Sequence, residues 1–223
     1  MTSGTVVLLH GLNRTQLSMA PLALALRRRG HHVSNRYYHS RAATIEQHAD
    51  CLLERLRRDA GTASQAGPVH FVAHSMGCLV VRAALARCAP DALPLARPGR
   101  FVMIAPPNRG SELAARLSGR RVWDVMLGRR ALQQLAQAQL AEAYGSPPLP
   151  FGVIAGGRGD GRGWNPLLPG DDDGVVTVAG THLPGEADHV VLRALHTTLP
   201  WRRETARHVQ HFLDTGRFDR MRS

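Results

Sequence analysis

Val69-His70-Phe71-Val72-Ala73-His74-Ser75-Met76-Gly77-Cys78-Leu79-Val80-Val81 decides how this chain is read. Val69 to Ala73 follow Pro68 as a short apolar run, the pattern of a strand buried on both faces. From Met76 to Cys88 the apolar positions Val80, Val81, Ala84, Leu85 and Cys88 fall at helical spacing. A strand therefore turns directly into a helix around His74 and Ser75. Ser75 stands at the apex, in a pattern that departs from G-x-S-x-G only by Ala73 in place of the first glycine. Such a turn strains the serine backbone and lifts its hydroxyl above the sheet. The helix N-terminus then offers the Met76 N–H to a developing oxyanion. An ordinary strand-to-helix turn, with Ser75 as the N-cap, is the plainer reading of the same residues.

Outward from this turn the same alternation repeats. Thr5 to His10 is a continuous apolar run ending at Gly11, followed by a helical period from Gln16 to Arg29 that Gly30 stops. His32 to Tyr38 reads as a second strand. Thr44 and Gln47 form a capping box for a helix whose inner stripe is Ile45, His48, Ala49, Leu52, Leu53 and Leu56. Phe101 to Ala105, Phe151 to Ala155 and Val190 to Leu195 are further strands. A last helix opens at Pro200, runs to about Leu213 and closes at Asp214-Thr215-Gly216. Strands alternating with helices predict an α/β fold in one domain over residues 1–223, with a mostly parallel sheet of about six strands and helices on both faces. In the stretch from Ser111 to Pro150, Val122 to Tyr144 reads as helical, either a crossover or a small cap over a site. Gly156 to Gly174 is a loop rich in Gly and Asp.

Ligands of such sheets bind beyond the carboxyl ends of the strands, so polar residues just past an apolar run are the candidates. The first strand ends in His10-Gly11-Leu12, where Leu12 is placed to give a second oxyanion N–H and Gly11 permits close approach. His10 reads as a local structural anchor. Gly11, Asn13 and His74 are candidate substrate contacts, with Arg14 beside them. A serine nucleophile needs an imidazole base, and the base needs a carboxylate to orient it. Of the twelve histidines, His196 alone follows the last strand at its carboxyl end; His189 precedes that strand, and His208 and His211 fall in the final helix. The acid is sought in Asp171-Asp172-Asp173-Gly174-Val175-Val176, with Asp173 preferred and Asp160 and Asp171 as alternatives. Asp171 and Asp172 otherwise read as solvated loop residues. No metal ligands and no cofactor are assigned.

The net charge of +11 comes from 28 basic residues against 17 acidic ones, and all 28 are Arg. They are scattered along the chain without a recognition motif, which speaks against nucleic acid as a partner and for a solvated surface. Transient contact with a membrane surface stays open. No run reaches the roughly 18 apolar residues of a membrane span. The absence of a basic leader before Thr5, and an odd number of cysteines (Cys51, Cys78, Cys88), lead to the expectation of a reducing, cytoplasmic location. Cys78 and Cys88 on one helix would sit about 15 Å apart, too far to pair.

Together these residues resemble the α/β-hydrolases, and within them bacterial lipases and serine esterases. Ala73-His74-Ser75-Met76-Gly77 is similar to the elbow of the small lipases that also carry Ala at its start. His10-Gly11-Leu12 resembles their oxyanion loop, Pro106-Pro107-Asn108-Arg109-Gly110-Ser111 a segment that follows the next strand, and Asp173-Gly174-Val175-Val176 their acid motif. The resemblance implies an α/β-hydrolase fold and a carboxylic ester hydrolase acting on small-molecule or lipid esters. Ser75, His196 and Asp173 would be the triad, and Leu12 and Met76 the oxyanion hole. The same triad serves thioesterases, acyltransferases and amidases, and a fold of this kind that had lost catalysis would be a binding module.

Overall fold

The computed structural model describes residues 4–60, 67–88, 97–117, 119, 121, 129–137 and 142–220. Its strands are β1 (Thr5–Leu9), β2 (His32–Arg36), β3 (Val69–His74), β4 (Pro98–Ile104), β5 (Phe151–Gly157) and β6 (Asp188–Arg193). They hydrogen-bond in the order β2-β1-β3-β4-β5-β6, and every pairing is parallel. The helices between them are α1 (Ala20–Arg28), α2 (Ile45–Ala60), α3 (Met76–Ala86), α4 (Glu112–Leu117), α5 (Arg129–Leu135), the short α6 (Val178–Thr181) and α7 (Arg203–Thr215).

The continuous apolar runs exist because the central strands are covered on both sides. Successive side chains alternate between faces. Val7, Leu9, Phe71, Ala73, Phe101 and Met103 point to one face and pack with Leu52 and Leu53 of α2 and Leu79 and Ala83 of α3. Val6, Leu8, Val72, Val102, Ile104 and Ile154 point to the other and meet Leu22 and Leu26 of α1 and Val209 and Phe212 of α7. The edge strands β2 and β6 are only partly buried, and their sequences carry more polar residues accordingly.

The capping box at α2 forms in both directions. The Thr44 N–H donates to Gln47 Oε1 at 3.0 Å, and the Gln47 N–H to Thr44 Oγ1 at 3.2 Å. Two expected helices begin later than their periodicity suggests. Gln16–Met19 is a 3-10 turn capped by the Thr15 hydroxyl, and α1 proper starts at Ala20 with Pro21 in its first turn. Pro21 lacks the N–H that a helix interior needs, so the helix can hold it only near its start. Leu199–Trp201 is likewise a 3-10 turn before α7, and Gly216 closes α7 in the left-handed conformation (φ 80°). Val122 to Tyr144 is not one helix. Residues 122–128 and 138–141 lie outside the described residues, and within the described part α5 ends at Leu135, followed by a turn in which the Gln137 N–H bonds the Gln134 carbonyl. No helix of the described residues is long and apolar enough to cross a membrane. Cys51, Cys78 and Cys88 are free thiols.

Candidate active site

Ser75 occupies the single residue between β3 and α3, with φ 54° and ψ −126°. A side chain at positive φ costs of order 1–3 kcal/mol and persists only where surrounding bonds impose it. Here the Ser75 N–H donates to the Ile104 carbonyl at 2.9 Å, and the Ser75 carbonyl accepts the Cys78 N–H at 2.9 Å. Both ends of the turn are thereby fixed to the sheet and the helix. Gly77 supplies the clearance: a Cβ there would lie 2.6 Å from the His10 carbonyl oxygen and 2.9 Å from that of Leu9. At the other flank Ala73 is fully buried in the helix-covered face of the sheet.

The loop after β6 brings His196 to Ser75. His196 Nε2 is 2.9 Å from Ser75 Oγ, and Nδ1 is 2.7 Å from Asp173 Oδ2. The carboxylate accepts, so Nδ1 carries the proton and the Nε2 lone pair faces the serine hydroxyl. The other carboxylate oxygen, Asp173 Oδ1, accepts the N–H groups of Val175 (3.0 Å) and Val176 (2.8 Å). The backbone repeats the link, since the His196 N–H donates to the Asp173 carbonyl at 2.8 Å. The Asp173 side chain is fully buried and that of His196 is 8% exposed.

Of the candidate acids, Asp173 is the one whose carboxylate reaches His196. Asp171 instead accepts the Arg158 and Gly159 N–H groups, at 2.7 and 2.8 Å. Asp160 accepts the Arg162 and Gly163 N–H groups and pairs with Arg158. Asp172 corrects the reading of a solvated loop residue. It is fully buried, and its carboxylate accepts the N–H groups of Gly174 (2.6 Å) and Asn165 (3.0 Å). Three consecutive aspartates thus hold three separate parts of one crossover, each through a carboxylate that accepts two backbone N–H groups.

The loop after β1 passes beside the serine. A Cβ on Gly11 would stand 3.0 Å from Ser75 Cβ, so glycine is what lets the backbone come this close. The N–H groups of Leu12 and Met76 donate to no group among the described residues. Asn13, exposed and at φ 56°, is tied through its N–H to Ser40 Oγ. His10 is an anchor, as its position in the sequence implies. Its Nδ1–H donates to the Gly11 carbonyl at 2.9 Å, and its ring stacks on Tyr38 at 4.4 Å. Burial lowers its pKa against the raising effect of its backbone hydrogen bonds. His74 is buried, and its Nε2–H donates to the His196 carbonyl at 3.0 Å while the two rings lie 4.7 Å apart. Burial, then the neighbouring His196, holds its pKa well below the ordinary histidine value. It is therefore neutral, and its Nδ1 is a buried acceptor without a partner among the described residues.

Gly11, Leu12, Asn13, Arg14, His74, Ser75 and His196 open onto a cavity of about 560 Å³. Its apolar walls are Leu113, Ala114, Leu117, Leu135, Leu167 and Val175, so the segment after β4 lines the site through α4 and α5. That segment is held by polar residues the sequence did not single out for this purpose. Arg82 of α3 is 1% exposed and donates to the Gly145 carbonyl (2.7 Å) and to Asn108 Oδ1 (3.1 Å). Asn108 in turn donates to the Thr181 carbonyl at 2.7 Å. Burial pushes the Arg82 pKa down to about 10. Glu46 at the start of α2 accepts from Gln134 Nε2 (2.6 Å) and from the Tyr144 hydroxyl. The signal available in the sequence was an arginine on an otherwise apolar helix face and an asparagine within Pro106-Pro107-Asn108.

No family model and no curated protein sequence matches the chain. Solved structures do. A lipase of Bacillus licheniformis in its mature form superposes with a TM-score of 0.73 at 19% identity, covering 96% of this chain and 92% of its own. A metagenomic carboxyl esterase gives 0.67 at 20%, over 89% and 66%. A phospholipase of Legionella pneumophila gives 0.65 at 18%, over 88% and 53%. At this identity the likeness is one of architecture, and the architecture is the α/β-hydrolase fold.

Proposed function

We propose that the protein is a serine hydrolase of carboxylic esters. The observation that carries this reading is the unbroken line from Asp173 through His196 to Ser75 Oγ at the floor of an apolar cavity. In the mechanism, Ser75 Oγ attacks the acyl carbonyl carbon as His196 Nε2 takes its proton. Asp173 holds the tautomer and faces the imidazolium that forms. The Leu12 and Met76 N–H groups, free of other partners among the described residues, donate to the oxyanion. Collapse expels the alcohol, which receives the proton from His196, and water then releases the acyl group by the same steps in reverse. His74 serves as a positioning residue: its bond to the His196 carbonyl holds the base in place, and its neutrality spares the imidazolium a like charge.

The cavity walls supply the substrate class. Six aliphatic residues beside the serine suit an acyl chain and reject a charged acyl group. Exposed Leu17, Leu167, Leu195 and Trp201 lie in segments that follow β1, β5 and β6, beyond the carboxyl ends of the strands where the cavity opens. With Arg14 at the cavity wall and the basic surface, they favour esters presented by an anionic lipid surface. The test of the chemistry is labelling by a fluorophosphonate probe together with hydrolysis of nitrophenyl esters of increasing chain length. Labelling at Ser75 and turnover that both vanish in Ser75→Ala support the proposal; turnover that persists in Ser75→Ala removes it.

A further inference from the structure

The crossover that carries Asp173 continues through α6 and a turn into β6, and there it gathers a second set of chemically versatile side chains. His182 and Glu186 flank the turn His182-Leu183-Pro184-Gly185-Glu186, and His189 is the second residue of β6. One ligand-type atom from each lies within 4.8 Å of the other two. We propose that His182, Glu186 and His189 form a binding site for a divalent transition-metal ion, with zinc as the best-matched ion.

The donor set comes first. Two imidazoles and one carboxylate suit zinc, cobalt, nickel or copper and suit magnesium or calcium poorly, since those prefer oxygen. Preorganisation is the second point. Glu186 Oε2 accepts the Leu183 N–H at 3.2 Å, while the Glu186 N–H donates to the Leu183 carbonyl at 3.2 Å. This clasp fixes the turn and leaves Oε1 to meet His182 Nδ1 at 2.6 Å. Gly185 at φ 83° makes the turn possible, and the Ser146 hydroxyl ties it down by donating to the Pro184 carbonyl at 2.6 Å.

Third is the state of His189. The Thr181 hydroxyl donates to the Val178 carbonyl at 2.7 Å, so its oxygen accepts from His189 Nε2–H at 3.0 Å. One ring nitrogen is thus held by a neighbour, the arrangement that orients metal-bound histidines. The His182 and His189 rings stack with centroids 4.0 Å apart and planes 18° from parallel. Of the cations at this end of β6, the Arg220 guanidinium is engaged by the Asp188 carboxylate and the Arg217 guanidinium by the Ala187 carbonyl. A metal between the rings and Glu186 would take the place of the proton that His182 Nδ1 shares with Glu186 Oε1. Ligand atoms around tetrahedral zinc stand roughly 3.4 Å apart, so the His182–Glu186 pair would open from 2.6 Å and the wider separations of the set, within 4.8 Å, would close by side-chain rotation. The remaining positions are open to water. The ion would tie the end of the crossover to β6, at the amino ends of the strands, opposite the carboxyl ends where Ser75 stands.

Calorimetric titration of the metal-free protein with zinc decides the matter, read against the double variant His182→Ala/His189→Ala and against Glu186→Gln. The proposal expects one equivalent with micromolar or tighter affinity, abolished in the double variant and weakened at least tenfold in Glu186→Gln. Magnesium should neither bind at this site nor compete. Cobalt in place of zinc should show the visible absorption of a site with nitrogen ligands, and the double variant should lack it. Failure of the wild-type protein to bind zinc overturns the proposal. So does the same stoichiometry and affinity in the double variant, which would place the zinc on other histidines.

Discussion

Two histidine–carboxylate pairs hang on the same crossover, at opposite ends of β6. His196 meets Asp173 at 2.7 Å beyond the carboxyl end of β6, and His182 meets Glu186 at 2.6 Å beside its start. The bonds are alike in length, and their settings are not. The first pair is sealed, with side-chain exposures of 8% and 0%; the second is open, at 44% and 18%. Asp173 has its second oxygen filled by two N–H groups from a tight turn, so its charge is held in a dry site and its His partner can hold only one tautomer. In the first pair the free imidazole nitrogen faces a hydroxyl, and in the second the neighbour is another imidazole. A hydrogen bond of the same length is thus read as base catalysis in one place and as a metal site in the other. Burial and the identity of the third group make the difference.

The largest effects belong to the sealed pair. Ser75→Ala and His196→Ala are each expected to lower kcat on the order of 10⁶-fold, because such a triad acts as a unit; nitrophenyl ester turnover measures it. Asp173→Asn should cost about 10⁴ in kcat with little change in KM, since an amide cannot hold the tautomer. Stopped assays with high enzyme concentration resolve that residual rate, and a loss under tenfold would break the comparison at its centre.

Acid should act next, on the fold. His10, His48, His70, His74 and His208 are all held below the ordinary histidine pKa, in each case chiefly by burial, and His70 is pushed down to about 4. Below pH about 6.5 the unfolded chain takes up protons that the folded chain refuses, so stability falls as pH falls. For His70 the loss runs from about 6.5 down to about 4, on the order of 3 kcal/mol. Scanning calorimetry between pH 7.5 and 5 should show Tm falling; a flat profile contradicts it. Asp172→Ala should destabilise by about 1–3 kcal/mol through stranded N–H groups, seen in urea titration, while the folded fraction keeps kcat within tenfold. Smallest is His182→Ala in metal-free protein, within about 0.5 kcal/mol and with kcat unchanged.

What the sequence made legible follows the same line between local and non-local control. The turn around Ser75 is legible because a strand, an apex and a helix are contiguous, and each leaves its own periodicity. His196 follows from chain order once the last strand is placed. The α2 capping box is legible because it is closed within four residues. Asp173 is preferred in the sequence for its place directly before Gly174-Val175-Val176, while the separate work of Asp171 and Asp172 shows only in which N–H groups each carboxylate faces, which spacing does not contain. The His182–Glu186–His189 cluster crosses a turn and a strand start, so neither a period of 3.6 nor one of 2 brings its members together. Arg82 is hidden for another reason: its partners Asn108 and Gly145 are far along the chain, and on a helix face an arginine reads as exposed.

The backbone of Ser75 carries one more consequence. A residue at φ 54° would be more at ease as glycine, and Ser75→Gly removes the side chain that the turn resists. Selection for heat resistance alone, applied to a library of this chain, should therefore recover its own inactivation among the early winners. The serine persists only while something other than stability is being chosen, so any search for hardier variants has to score turnover in the same round.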